Sequence, residues 1–204
     1  AIVALYLVAS LLTIFILFPG VGKTEEIVVE GGEVNWSALI DSQWLGGNYP
    51  RIQELYQNVP HSHDMMLKLL EMGKGRDAVF FYPQTGGIFI ADVRMFDLTL
   101  SDPAQRRAFW DYRSRKIPEE TRSESPVAEA YLEKEEAFTL DGFAGYEGFF
   151  FTVRPNGRQG FRCEWWVEIG DNTYHCFSLA ANSDVFWYRF REIARFFQTL
   201  RYGD

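Results

Sequence analysis

Hydrophobic and polar positions change period several times along the chain, and each change marks an element. Residues 1–18, AIVALYLVASLLTIFILF, are apolar without a charge, and Pro19 and Gly20 end the run. EIVVE at 26–30 predicts a short strand turned by GGE, and Val34 to Leu45 reads ambiguously. Tyr49 to Gln57 predicts a helix stopped by Pro60, and a second helix follows with Ser62 or Asp64 as its cap. In it Met65, Leu69 and Met72 fall on one face, and Gly73 and Gly75 stop it. DAVFFYP, QTGG and IFIADVRMF predict strand, turn and strand.

SDPAQRRAFWDYRSR predicts a helix capped by Ser101, with Pro103 tolerated in its first turn. Lys116 to Ser125 predicts a charged loop. From Glu136 onward alternation returns, in FAGYEGFFFTV, QGFRCEWWVEI and TYHCFSL, joined by RPNGR and GDN. Asp184 to Gln198 predicts a closing helix with Phe186, Phe190, Ile193 and Phe197 as its apolar stripe and Arg191 and Arg195 facing out. The sum is an α+β fold. A transmembrane helix precedes an antiparallel sheet flanked by helices, with an α/β/α sandwich as its fullest form. The division is 1–19 membrane helix, 20–45 linker and first strand, 46–204 soluble domain.

Eighteen helical residues span about 27 Å, close to a hydrocarbon core. A signal peptide would have a shorter apolar region, about 7–15 residues, and a small-residue cleavage site. FPGVGKTEE has no such site. An uncleaved single-pass anchor in the lipid bilayer is therefore expected. Only Lys23 is basic just after it, while Glu25, Glu26 and Glu30 are acidic, so the domain is expected on the translocated side, periplasmic or lumenal.

Composition narrows the partners. The chain of 204 residues has a net charge of −8 and no basic run, which argues against nucleic acid. Aromatic residues make up 17%, so the core or a partner surface must be aromatic. PGVGKT at 19–24 imitates a phosphate-binding loop, but the motif needs glycine where Leu17 stands, and a strand before it.

The stretch RCEWWVEIGDNTYHCF, 162–177, holds both cysteines. On a strand, Cys163, Trp165, Val167 and Ile169 share a core face. Arg162, Glu164, Trp166 and Glu168 share the other face, expected to be solvated. A two-residue turn would set the thiols diagonally on one face. A three-residue turn would place them on opposite faces, and only a shifted register would oppose them directly. A disulfide is disfavoured by that geometry and favoured by an oxidising compartment.

His61, His63 and Asp64 form the one candidate metal set, competing with a plain polar helix start. His175 reads as a packed or hydrogen-bonded strand residue. No G-x-S-x-G occurs, and Cys176 cannot form a dyad with its strand neighbour His175. No cofactor is implied, and no catalytic residue stands out. Trp166 and Tyr202, with Arg191 and Arg195, are candidate interface residues. The alternative for the aromatics is burial beneath a loop or the last helix.

The last third of the chain, a long hairpin running into Phe190–Arg201, FREIARFFQTLR, resembles the closing part of the PsbP-like (PsbP/DcrB-type) domain family. The opening strands with a Pro-x-x-Trp element are not evident in EIVVEGGEVNWS, and a membrane helix is foreign to the soluble members. The resemblance implies an α/β/α sandwich of non-catalytic accessory proteins, many docking on photosynthetic or other membrane complexes. It maps no functional residue onto this chain. The expectation is a non-catalytic, membrane-anchored accessory subunit or assembly factor of a larger complex. The alternative is a membrane-tethered enzyme or metal-binding sensor using His61, His63 and Asp64.

Overall fold

The computed structural model describes residues 23–30, 34–58, 63–84, 86–121 and 126–203. The expected membrane helix at 1–19 lies outside them. Among the described residues no helix is long and apolar enough to cross a membrane.

Fourteen elements follow in order: β1 Thr24–Val29, β2 Trp36–Asp41, β3 Leu45–Gly47, α1 Tyr49–Asn58, α2 His63–Gly73, β4 Ala78–Tyr82, β5 Gly87–Met95, α3 Pro103–Glu120, β6 Glu129–Leu140, β7 Phe143–Val153, β8 Gln159–Gly170, β9 Thr173–Asn182, α4 Phe186–Thr199, β10 Arg201–Tyr202. They make a mixed α+β fold with two antiparallel sheets among the described residues. Seven strands run β3-β4-β5-β9-β8-β7-β6, and three run β1-β2-β10. Asp141 and Gly142, both at positive φ, turn the β6–β7 hairpin.

Helices lie on both faces of the large sheet. Alternation along β4 shows this: Phe80 joins a cluster with Phe186, Ile193 and Phe196 of α4, while Val79 joins Ile52, Met66 and Leu69 under α1 and α2. On that second face, farther along, Phe109, Trp110 and Ile117 of α3 pack on Phe150, Trp166 and Cys176. The small sheet lies on the α4 side, where Ile27, Trp36 and Ile40 enter the same core as Phe89 and Phe177.

Several boundaries differ from expectation, each for a physical reason. The N-cap of α3 is Asp102, whose carboxylate accepts from the Ala104 and Gln105 amides, and not Ser101. The helix continues to Glu120 through the expected loop. Pro118 forfeits one backbone bond there, but the Arg113–Glu120 pair bridges the final turns. The segment 20–45, read as linker and first strand, contributes two strands: β2 is hydrogen-bonded to β1 on one side and β10 on the other. β6 begins at Glu129, earlier than its alternation suggested.

Candidate docking face and the groove beside it

Helix α4 begins over β7 and β8, where the Phe186 ring lies 5.5 Å from those of Phe149 and Phe161. Phe186 is buried there as the anchoring residue. The next two side chains, Trp187 and Tyr188, are 52% and 55% exposed. Trp187 is nonetheless in contact with four other rings. It stacks on Phe149 at 5.5 Å and 22°, and meets Phe186 at 5.4 Å, Phe190 at 5.7 Å and Phe161 at 6.1 Å. Phe149, Phe151 and Phe161 are half-buried on this face, and Tyr131, opposite Phe151 in the ladder, is 50% exposed. The result is a rigid, semi-exposed aromatic surface, and isolated surface aromatics do not form such a cluster.

Next to it runs a groove of about 410 Å³ between α4 and the β6–β7 hairpin, lined by Phe138, Leu140, Trp165, Phe190 and Phe197. Glu136 and Glu147 stand directly opposite each other on its wall. Lys134 pairs with Glu136 at 2.6 Å, and Glu147 accepts the Trp165 indole N–H at 2.6 Å.

The predicted site residues separate in space. Arg191 and Arg195 are exposed on α4, as its periodicity requires. Tyr202 is half-buried, its ring 5.1 Å from Phe143 and its hydroxyl 3.1 Å from His175 Nδ1. His61 lies outside the described residues. His63 opens α2, and Asp64 is exposed in its first turn. Among the described residues no group of three or more metal-ligating side chains converges.

Trp166 was expected on a solvated face, and the structure overturns that. It is fully buried, with Phe109 at 4.9 Å, Phe96 at 5.2 Å and the Arg113 guanidinium 5.7 Å over its ring. A side chain sealed beneath α3 cannot meet a partner. Glu164, expected beside it in solvent, is fully buried too. Arg113 donates to it from Nε at 2.8 Å and Nη2 at 2.7 Å, Arg162 from Nε at 2.7 Å, and Trp166 from Nε1 at 3.2 Å. Burial favours protonation of this carboxyl. The two guanidiniums outweigh it and hold the group well below the usual carboxylate range. No sequence signal marked the network, because an Arg-x-Glu alternation reads the same on an open face and under a helix.

The cysteines are free and buried. Cys163 opposes Leu179 and Trp166 opposes Cys176, so the thiols point to opposite faces, the outcome expected of a three-residue turn. The ladder reaches that register through an irregularity at Ile169 and a turn at Asp171 and Asn172. Burial pushes both thiol pKa values well up.

His175 is a packed strand residue, as read from the sequence. Its ring lies 4.0 Å from that of Phe177 and 5.6 Å from that of Trp36. Asp77 Oδ2 is 3.5 Å from Nε2, which would favour the imidazolium. Burial dominates and lowers the pKa to about 3, leaving a neutral ring. That state fits a proton on Nε2 facing Asp77 and Nδ1 accepting from the Tyr202 hydroxyl.

No protein-family profile matches the chain. No curated protein matches it either. Solved structures do. Cyanobacterial PsbP (CyanoP) from Synechocystis sp. PCC 6803 superposes with a TM-score of 0.54 at 14% identity, over 91% of this chain and 97% of that one. The Ran-binding protein Mog1p of Saccharomyces cerevisiae gives 0.51 at 8% identity, over 88% and 95%. LpqN of Mycobacterium tuberculosis, involved in cell envelope biogenesis, gives 0.48 at 12%, over 90% and 93%. The chain has the PsbP-like fold, over most of its length and not only in its closing third.

Proposed function

We propose that this chain is a non-catalytic accessory subunit or assembly factor, docking on a larger membrane protein complex through the aromatic face around Trp187. The observation that carries the reading is a tryptophan half open to solvent yet fixed by four rings. Tryptophan and tyrosine dominate binding hot spots because they bury much area and have little rotamer freedom to lose. Here that cost is already met within the domain. The fold supports a binding role by analogy alone, since one protein that shares it is a Ran-binding protein.

In this reading the apolar run 1–19 inserts in the bilayer and keeps the domain on the translocated side, at high local concentration beside its partner. Arg191 and Arg195 flank the aromatic face on α4 and would set the rim of the contact.

Gentle detergent solubilisation of the native membrane, followed by size separation, tests it. The chain is expected to co-migrate with a large complex. Trp187→Ala with Tyr188→Ala should abolish co-migration while the domain stays folded, with an unchanged far-UV spectrum and only a modest fall in melting temperature. Migration of the unaltered chain as a free monomer would overturn the proposal.

A further inference from the structure

The groove between α4 and the β6–β7 hairpin combines features that core packing alone does not require. Its volume of about 410 Å³ falls in the range of small-ligand sites. On α4, Phe190, Ala194 and Phe197 follow at i, i+4 and i+7, and the short Ala194 leaves a hollow between two rings. Trp165 of β8 is buried against them, its ring 5.8 Å from that of Phe190 and 4.8 Å from that of Phe197. Phe138 enters from β6. Its ring lies directly over Gly145, where any Cβ would collide with it. Four aromatic rings thus border one space.

The charges in this lining run against the logic of the sheet. Glu136 and Glu147 are its charged members among the described residues, and they face each other directly across the β6–β7 ladder. Like charges so placed destabilise a sheet. Lys134 answers one of them, through its pair with Glu136. Both side chains of that pair are largely exposed, and such pairs hold weakly. Glu147 accepts the Trp165 indole N–H and has no cation within ion-pair distance among the described residues. Two carboxylates and one ammonium leave a negative charge unanswered beside four aromatic rings.

We propose that this groove binds a free organic cation of the quaternary ammonium class. The charged end lies beside Glu136 and Glu147, and its methyl groups and apolar body rest on Phe138, Trp165, Phe190 and Phe197. Aromatic faces attract a cation through the negative side of their quadrupole, and a quaternary nitrogen brings no N–H that the wall must satisfy. A primary ammonium has three donors to place, and one oxygen of Glu147 already accepts the indole. The phosphate of a choline lipid would be repelled by the same carboxylates, so a free cation fits better than a lipid headgroup. The site does not rest on the docking reading, since neither carboxylate belongs to the Trp187 face.

Titrating the full chain with phenyltrimethylammonium, followed by amide and indole N–H chemical shifts, tests the assignment. Saturable shifts of the Trp165 indole and of the Glu136 and Glu147 amides are expected, with Kd of the order of 1 mM, within the limit for a ligand of about ten heavy atoms. Glu147→Gln keeps an oxygen for the indole and should weaken binding about tenfold, and Glu136→Gln, on the exposed wall, about threefold. Glu129→Gln, an exposed acid farther along β6, should leave it unchanged. Benzenesulfonate, of similar size and opposite charge, should not bind. Absence of saturation by phenyltrimethylammonium would overturn the proposal. So would equal weakening by all three variants, which would mean diffuse charge attraction. Tighter binding of benzylammonium would assign the groove to a primary amine instead, and tighter binding of glycerophosphocholine to a lipid headgroup; either result overturns the proposal as well.

Discussion

Arg113 clamps Glu164 with two hydrogen bonds of 2.8 and 2.7 Å, and neither side chain reaches solvent. The same guanidinium turns its other edge to Glu120, at 2.7 and 2.9 Å. One arginine therefore fastens the end of α3 to the middle of β8. Removing it leaves a buried carboxylate with only Arg162 opposing it. Arg113→Met should cost about 3–5 kcal/mol of unfolding free energy, and Arg113→Met with Glu164→Leu should recover most of that, because the desolvated charge leaves too. Urea unfolding of the single and double variants checks both.

The buried His175 gives the fold a definite pH response. Its folded pKa is about 3, against an ordinary value of 6.5. Between these values the unfolded chain binds a proton that the native protein refuses, so stability falls as the solution is acidified. Glu164 acts in the same direction, but only once the pH drops through its ordinary value of 4.5. Across the window from 6.5 down to 4.5 His175 supplies the loss, with a slope approaching about 1.4 kcal/mol per pH unit, opposed toward the lower end by Glu192, whose carboxyl pKa is raised above its ordinary value by burial. His175→Phe should flatten the curve in that window and leave the steeper loss below it. Melting temperatures across pH 4 to 7 would show this, and an unchanged slope would mean that the ring is already charged in the fold.

Neither cysteine should react in the native state. Both are buried, with thiol pKa values pushed up by burial, and they point to opposite faces of the sheet. Alkylation with iodoacetamide at neutral pH should proceed only through opening of the fold, so that its rate falls as stability rises. Fast labelling of either thiol in the folded protein would contradict this. Oxidants should produce no intramolecular bridge.

Gly148 marks the tightest approach of α3 to the sheet. A Cβ there would stand 2.5 Å from Cζ3 of Trp110, a fully buried ring. Gly148→Ala must displace α3 or force the indole off its rotamer, at about 1–3 kcal/mol. Thermal melting and the near-UV tryptophan signal should both shift. Gly157→Ala makes a useful contrast: no atom lies within 4 Å of a Cβ there, and any cost comes from its φ of +77°.

The sequence displays the strands of the closing hairpins and the last helix clearly, because each has one period and strong punctuation. The PsbP-like resemblance rests on that third and extends over the whole fold. Trp166 was not legible. Its strand alternates cleanly, but alternation fixes which residues share a face and not what covers that face. The cover, α3, is separated by a long stretch of chain and carries a weak apolar stripe, since Arg113 occupies a core position on it. The docking face was missed for a related reason. Trp187 falls outside the i, i+4 stripe of α4, and only the packing of the helix start on β7 and β8 gathers Phe149 and Phe161 around it. Val34 to Leu45 was ambiguous because β2 is paired on both sides within a small sheet completed by the last residues of the chain.

That strand order also governs when the protein can become itself during synthesis. β5 takes one of its two partners from β9, and β2 takes one of its partners from β10. Until the final strands and α4 have been made, β5 and β2 each present an open ladder edge, and the Phe80, Phe89 and Trp36 surfaces lack their lid. The nascent chain thus cannot fold stepwise from its beginning. It must wait, half-finished and adhesive, for β9, α4 and β10, and a ribosome that stalls or terminates early before β9 would release a polypeptide predisposed to aggregate.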